Sequence, residues 1–345
     1  MQPPRLVNTL VATIKKSPSA RKGTVLSTDL RIDEARAVEG IKTYLRRVYD
    51  ANGASGVLIG LSGGIDSTVL SALAVQSLGK GSVHLAYLYD QHSEQTLRRN
   101  ARRISAWLGL ELEEKSIEPA MRKMGVYDSI GMRMTSFSGL FNRMLHQTYR
   151  YIFRESPFLS SLRLGSAESL AKNLGSPGFR AIIHQPESGL NARHIYRRQV
   201  LEVKARELNL LLLGAANRSE WFVGWFVKDG IDDLAIQPLK GLYKTQIRQL
   251  AAFLGVPASV VEQAPSPDMM KGISDEFALG IRYSKIDLVL DHLERGLSKE
   301  RILAAGCTEN QIRLVQEMNR HSEWKRAGTR APPPVNGSLP GGLRL

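Results

Sequence analysis

The sequence predicts an α/β fold: a doubly wound, mostly parallel sheet with helices on both faces and a helical insertion. Three observations carry this expectation. Short apolar runs alternate with helical periodicity from Asp33 to Ile117, a glycine-rich loop follows the first of those runs, and the alternation resumes between Asn191 and Leu213.

Taken in order, residues 1–32 mix Pro, Ser, Lys and Arg and read as a basic arm with room for one short helix at Leu6 to Ile14. From Asp33, Val38, Ile41, Leu45 and Val48 recur at helical spacing until Asn52-Gly53 stops the run. Val57 to Leu61 is a buried strand, and the helix Ser67 to Leu78 follows its loop. A second unit pairs the strand Val83 to Tyr89 with the helix Glu94 to Leu108, and Leu110 to Ile117 alternates as a third strand. The rhythm then fails over about 119–190, where helical fragments (Leu140 to Arg154, Ser166 to Asn173) stand between Ser-Pro and Gly-Ser-Pro-Gly breaks. A structureless loop of that length inside a sheet is unusual, so the stretch reads as an insertion. Regular structure returns with a basic helix Asn191 to Leu208 and the strand Leu210 to Leu213. A helix from Lys244 to the Gly255-Val256-Pro257 stop comes next, then helical Asp275 to Leu290 with a break near Tyr283. The expected organisation is one domain over 33–330 with a disordered Pro/Gly-rich tail at 331–345.

Composition narrows the function classes. With 43% hydrophobic residues in 345, the chain can bury a sizeable core. Its lone cysteine, Cys307, excludes an internal disulfide and a cysteine-based zinc site. No apolar run approaches a membrane span and no signal core opens the chain, so a cytoplasmic location is expected, with no membrane partner. Against 33 acidic residues stand 47 Lys and Arg, a net charge of +14 that favours anionic partners: nucleic acid, acidic lipid or phosphorylated small molecules.

The segment Leu61-Ser62-Gly63-Gly64-Ile65-Asp66-Ser67-Thr68, between strand and helix, is suited to phosphate. Glycines let backbone approach an anion, the hydroxyls of Ser62, Ser67 and Thr68 donate, and the helix start presents free N–H groups. It matches neither the Walker pattern nor the dinucleotide fingerprint. An aspartate in an anion loop needs an intervening cation, which makes Asp66 a candidate Mg²⁺ ligand; helix capping is its alternative role.

This loop resembles the pyrophosphate loop of the N-type ATP pyrophosphatases, whose adenine nucleotide alpha hydrolase-like fold agrees with the α/β expectation. The second half resembles one family of that group, the NAD synthetases. The residues that carry this are Gly214-Ala215-Ala216-Asn217-Arg218-Ser219-Glu220, Gly224-Trp225-Phe226-Val227-Lys228-Asp229-Gly230, Leu239-Lys240-Gly241-Leu242-Tyr243-Lys244-Thr245-Gln246 and Leu254-Gly255-Val256-Pro257. Pro265-Ser266-Pro267-Asp268 and Ser274-Asp275-Glu276 continue the match.

The resemblance implies site roles. Asp66 and Glu220 fall on the metal-binding acids, and Lys244 on the lysine at the ATP phosphates. Ser266 falls on a phosphate-binding hydroxyl, and Gly60 and Leu61 line the adenine site beside the loop residues Ser62 to Thr68. On the acyl side, Trp225 or Phe226 stacks on a pyridine ring or packs in the core. Lys228 holds a carboxylate or phosphate, Asp229 with Asp233 binds or deprotonates ammonia, and Arg197 is a ligand or a solvated charge. Ala215 and Ile195 depart from the family's pattern, the 228–233 loop is shorter, and the 119–190 stretch is longer than in compact members.

The implied reaction is an ATP- and Mg²⁺-dependent ligation. A substrate carboxylate, that of nicotinic acid adenine dinucleotide in a true NAD synthetase, is adenylated and passed to ammonia, releasing AMP and pyrophosphate. Only some fifty residues precede the loop, too few for a glutaminase domain, so free ammonia or a separate amidotransferase is the expected nitrogen source. The family expectation is a homodimer. Three alternatives stand beside this reading: a ligase of the same lineage acting on another carboxylate, a tRNA-modifying ATP pyrophosphatase, and a non-catalytic nucleotide-binding homologue. The single cysteine weighs against thiolation chemistry.

Overall fold

Period-2 alternation in the first strand decides how the layers pack. A computed structural model describes residues 30–165, 185–268 and 271–327. The expected helices at Leu6 to Ile14 and Ser166 to Asn173, and the tail from Ala331, lie outside the described residues. Helix α1 (Glu34–Asn52) leads into β1 (Gly56–Gly60), α2 (Ile65–Leu78), β2 (Val83–Tyr89), α3 (Gln95–Leu108) and β3 (Leu112–Ser116). Asp33 caps α1 by accepting from the Arg36 N–H at 3.0 Å. Val57 and Ile59 of β1 pack with α1, α2 and α3 on one face of the sheet, while Leu58 packs with Leu201 and Ala205 on the other.

After β3 come α4 (Glu118–Lys123), α5 (Ile130–Thr135), α6 (Gly139–Phe153), α7 (Pro157–Gly165), α8 (Gln185–Glu207) and β4 (Leu210–Leu213). The described strands form one parallel sheet in the order β3-β2-β1-β4. The chain therefore runs outward in one direction from β1 and returns to its other edge with β4. The crevice between the carboxyl ends of β1 and β4 is the topological switch point, where open α/β sheets bind ligands.

The basic helix starts at Gln185, earlier than the expected Asn191. Two residues explain the difference. Pro186 is tolerated in a first helical turn, and Gly189 is helical because a Cβ there would meet Met132 Sδ at 2.4 Å, so the glycine admits α5. The insertion is correspondingly helical over much of its described length.

The remaining elements are α9 (Arg218–Val223), α10 (Lys244–Phe253), α11 (Ala258–Val261), α12 (Asp275–Leu279), α13 (Tyr283–Glu294), α14 (Lys299–Ala304), α15 (Glu309–His321) and α16 (Glu323–Arg326). The break expected near Tyr283 is the α12–α13 junction, closed by Gly280 in the left-handed region. A second core joins Leu159 and Leu162 of α7 to Tyr283, Ile286 and Val289 of α13 and Val315 and Met318 of α15. The cysteine lies in that core; Cys307 is buried, and burial pushes its thiol up. A buried thiol of raised pKa is a poor nucleophile. Among the described residues no helix is long and apolar enough to cross a membrane.

Asp287 of α13 knits the two halves together. It is fully buried, accepts from Ser219 Oγ at 2.5 Å and from the Thr245 N–H at 2.8 Å, and Ser219 Oγ in turn accepts the Lys244 N–H at 2.8 Å. Burial lifts its carboxyl to about 6, against hydrogen bonds that lower it. The folded chain thus holds this proton more tightly than the unfolded chain. The group's contribution to stability is present at low pH and is lost as pH rises through about 6. Asp287→Ala leaves a buried N–H and hydroxyl without their acceptor; we expect urea denaturation to register a loss of about 2–5 kcal/mol. A loss below about 0.5 kcal/mol would show that the network does not hold the helices.

Candidate active site

The loop after β1 is shaped by Gly63. Its φ is +79°, and a Cβ there would lie 2.1 Å from the Leu97 carbonyl oxygen of α3, so only glycine fits. Ser62 and Ser67 hydroxyls lie 3.0 Å apart, and the start of α2 has no side-chain cap, which leaves its first N–H groups facing the crevice side of the sheet. Thr68 differs from expectation: it is fully buried, and its hydroxyl donates to the Gly64 carbonyl at 2.7 Å. That bond occupies it inside the helix.

At the switch point Lys244, the first residue of α10, reaches both predicted acids. Its Nζ is 2.5 Å from Asp66 Oδ2 and 2.9 Å from Glu220 Oε1. Asn217 caps α9 by accepting the Glu220 N–H at 2.9 Å, and its amide donates to Asp66 Oδ1 at 3.0 Å. Tyr283 donates to Asp275 Oδ2 at 3.1 Å, and the Lys244 ammonium lies 5.1 Å from the Tyr283 ring centre. Asn217 and Asp275 stand in the sequence motifs and Tyr283 at the expected helix break, but only the fold brings them to Lys244 and its acids.

Burial opposes the Lys244 charge, but Asp66, Glu220 and Asp275 outweigh it and hold the ammonium protonated well above its ordinary range. Three carboxyls around one ammonium leave the cluster a cation short. Burial first, then the neighbouring acids, lift Glu220 to about 8; burial lifts Asp275 to about 6.

A cavity of about 330 Å³ opens above these groups. Gly60, Leu61, Ser62, Gly64, Asp66, Ser67, Glu220, Lys244, Ser266, Arg197, Trp225 and Phe226 all border it, as does Ala215, where the family's pattern has a hydroxyl. Arg197 is buried rather than solvated; it faces Asp268 at 3.5 Å and Ser93 at 3.2 Å. Ser266 donates to Glu94 at 2.9 Å, tying its loop to the start of α3. Trp225 is both core and cavity wall, packing edge-on against Phe158 at 4.7 Å.

The expected acyl-side loop is arranged differently. Lys228, Asp229 and Asp233 do not border the cavity. Lys228 donates to the Trp324 carbonyl at 3.4 Å, and Asp229, exposed with φ +61°, has its N–H bonded to Asp233 Oδ2 at 3.1 Å. The tight turn points Asp232 inward instead, where its carboxylate lies 3.2 Å from His194. Sequence reading also passed over Lys325. This buried residue borders the cavity, donates to the Gly224 and Phe226 carbonyls at 3.0 and 2.8 Å, and is lowered to about 8 by burial.

Comparison with known proteins agrees with this geometry. The family model described as NAD synthase matches residues 37–136 and 183–329. The chain belongs to the NAD synthase family. A Thermotoga neapolitana protein named NH(3)-dependent NAD(+) synthetase is 30% identical over 257 residues, 74% of this chain and 84% of its own. A Rhizobium rhizogenes protein of the same name is 30% identical over 327 residues, covering 91% and 95%. Among solved structures, an NMN synthetase from Francisella tularensis superposes with TM-score 0.62 at 22% identity over 88% of this chain and 99% of its own. An NH3-dependent NAD synthetase from Campylobacter jejuni gives 0.56 at 20% over 91% and 100%. Both share the α/β fold with its parallel sheet.

Removing the bridging cation tests the cluster directly. Lys244→Met leaves Asp66, Glu220 and Asp275 facing one another without their cation, and we expect a stability loss of about 3–5 kcal/mol at pH 8 in urea denaturation, smaller at pH 5 where Glu220 and Asp275 are protonated. An unchanged midpoint at pH 8 would remove Lys244 from the electrostatic centre.

Proposed function

We propose that the protein is an ammonia-dependent NAD synthetase, an AMP-forming ligase that converts nicotinic acid adenine dinucleotide (deamido-NAD) to NAD. The observation that carries this reading is the Lys244 ammonium held between Asp66 and Glu220 at the mouth of a phosphate loop, in a chain of this family. In the proposed reaction the substrate carboxylate attacks the α-phosphorus of ATP and pyrophosphate leaves. Ammonia then adds to the acyl carbon, AMP leaves, and the amide remains.

This chain's residues supply alignment and charge stabilisation, the terms that dominate phosphoryl-type transfers. The α2 N-terminus and the Ser62 and Ser67 hydroxyls receive phosphate oxygens, and Ser266 adds a hydroxyl once its bond to Glu94 is exchanged. Lys244, kept protonated by its acids, neutralises charge on the leaving pyrophosphate. Gly60 and Leu61 offer backbone to the adenine. Arg197 and Phe226 border the acyl end. Asp232 replaces Asp229 and Asp233 as the carboxylate facing that end, and with it the role of receiving the ammonium proton.

Mg²⁺ suits the donor set. Asp66 and Glu220 already share one cation, and the acid cluster has room in its charge balance for a second. Among the described residues no three acidic, histidine or cysteine side chains gather to hold a metal alone. Asp66 and Glu220 would hold the ion together with substrate phosphates. Bound there, Mg²⁺ would draw charge from the triphosphate.

A homodimer is part of the proposal. Helix α6 is inverted: its inward face carries the buried Asn142, His146 and Tyr149, while Leu140 and Tyr151 face outward, 80% and 75% exposed, with Met144 between them. An apolar stripe on that scale favours a covering partner, and a second copy agrees with the family expectation.

Two outcomes test these readings. Purified protein given Mg-ATP, ammonium and deamido-NAD is expected to form NAD, AMP and pyrophosphate in equal amounts, and Asp66→Ala to lower pyrophosphate release by at least about 10²-fold. AMP formed only with some other carboxylate would favour a ligase of different substrate. In sedimentation, we expect the native chain at twice the monomer mass and the double variant Met144→Glu/Tyr151→Glu as monomer; a native monomer refutes the dimer.

A further inference from the structure

The family match stops at residue 136 and resumes at 183, so α6 and α7 lie wholly within the unmatched stretch. They are nevertheless part of the site: His146, Pro157, Phe158 and Ser161 border the same cavity as Lys244 and Glu220. Lys228, Asp229 and Asp233 of the loop expected to meet the acyl substrate lie off the cavity, and the inserted helices add to the wall beside Trp225 and Phe226.

Their arrangement is specific. Phe158 meets Trp225 edge-on with ring centres 4.7 Å apart, and Lys325 Nζ lies 5.9 Å from the Phe158 ring centre and 5.6 Å from that of Phe226. Two family-matched rings, one inserted ring and a buried ammonium therefore form a box. The inserted part is held from outside the box: Trp324 Nε1 donates to the Leu162 carbonyl at 3.1 Å, Tyr149 donates to Ser160 Oγ at 2.9 Å, and Arg163 bridges to Glu317 at 3.0 Å. Rotamers locked in this way can discriminate between ligands.

His146 adds a polar element. It comes from the inward face of α6, packs on Phe277 with ring centres 5.3 Å apart, and is 9% exposed. Its Nδ1 is buried without a hydrogen-bond partner among the described residues. Burial, with Arg150 nearby, holds its pKa down to about 4, so the ring is neutral and offers one donor and one acceptor. A buried, unsatisfied nitrogen costs about 1–3 kcal/mol, a cost that a ligand group completing the bond offsets. Rotation about χ2 exchanges the ring edge turned to the cavity.

Resting on the amide-forming reading above, we propose that the inserted segment selects the acyl substrate, Phe158 packing on its nicotinate or ribose face and His146 hydrogen-bonding a ribose hydroxyl. These are specificity residues of the acyl end, and the ATP end is built without them.

Steady-state kinetics of the full chain test this with deamido-NAD varied at saturating ATP and ammonium, then with ATP varied. Phe158→Ala and His146→Ala are each expected to raise KM for deamido-NAD about tenfold, the loss of one good contact, with KM for ATP changed by less than about twofold. His146→Gln, which keeps a donor and an acceptor, recovers part of the loss, and Phe158→Leu, which keeps most of the volume, falls between; neither lowers the melting temperature appreciably. Both KM values rising together, or neither moving, overturns the proposal. Calorimetric binding of deamido-NAD separates the two readings. Wild-type protein that binds it without making NAD sinks the amide-forming reading, while loss of binding in Phe158→Ala and His146→Ala, partly recovered in His146→Gln, still supports the wall. Wild-type protein that turns over, with variants unchanged in KM, sinks the wall alone.

Discussion

The ammonium of Lys244 is the group on which the rest of the site depends. It stands at the switch point of the sheet, between a carboxylate delivered by the first turn of α2 after β1 and another delivered by the helix after β4. A buried ammonium is strongly disfavoured alone, and buried carboxylates are too. Each makes the others tolerable, so the two halves of the crevice close on a single shared charge. Asp287 fixes the backbone at both ends of this arrangement, because Ser219 and Thr245 are neighbours of Glu220 and Lys244 in the chain. Position is set by the hydrogen bonds converging on Asp287, and charge by the side chains they present.

The same centre explains how a phosphate site can contain so much acid. Three carboxyls with one ammonium would repel ATP if all were ionised. Burial lifts the Glu220 and Asp275 carboxyls, so each holds its proton to higher pH than an exposed acid. The +14 charge of the whole chain works at longer range, favouring the approach of polyanions. Part of that charge is structural: Arg98 and Arg102 both bind Glu114, and Arg193 is buried against Asp90 at 3.3 Å. Steering is therefore left to the remaining exposed basic groups.

Much of this was legible in the sequence, for identifiable reasons. The strands Val83–Tyr89 and Leu210–Leu213 stood out because parallel strands buried on both faces are continuous apolar runs. Asp66, Glu220 and Lys244 were legible because their chemistry depends on local motifs at strand ends. Helix α15 was overlooked although Thr308 and Gln311 form a capping box, a signal that residue spacing alone provides. Asp275 and Tyr283 could not be assigned locally, since their partner Lys244 is set by tertiary packing. Asp229 and Asp233 lie off the cavity for a simpler reason. In a tight turn adjacent residues face opposite ways, so choosing between Asp232 and Asp233 needs the turn's geometry and not its composition.

The inversion of α6 unites the least legible part of the chain with its function. Ordinary amphipathic periodicity would turn Leu140, Met144 and Tyr151 inward and leave Asn142 and His146 to solvent. The helix does the reverse, which costs stability unless both faces are occupied. Inward, the Asn142 amide donates to the Thr135 and Lys271 carbonyls and Tyr149 to Ser160 Oγ, while His146 Nδ1 has no partner among the described residues; outward, the exposed apolar groups favour a covering partner. A single helix with both needs would couple them. Covering the outer face would hold His146 at the cavity edge, and filling the cavity would hold the helix in the orientation its partner meets. If the proposed dimer forms on this face, an acyl site built on the same helix is more ordered in the assembly than in the single chain, and substrate and partner each strengthen the other's binding by the same factor.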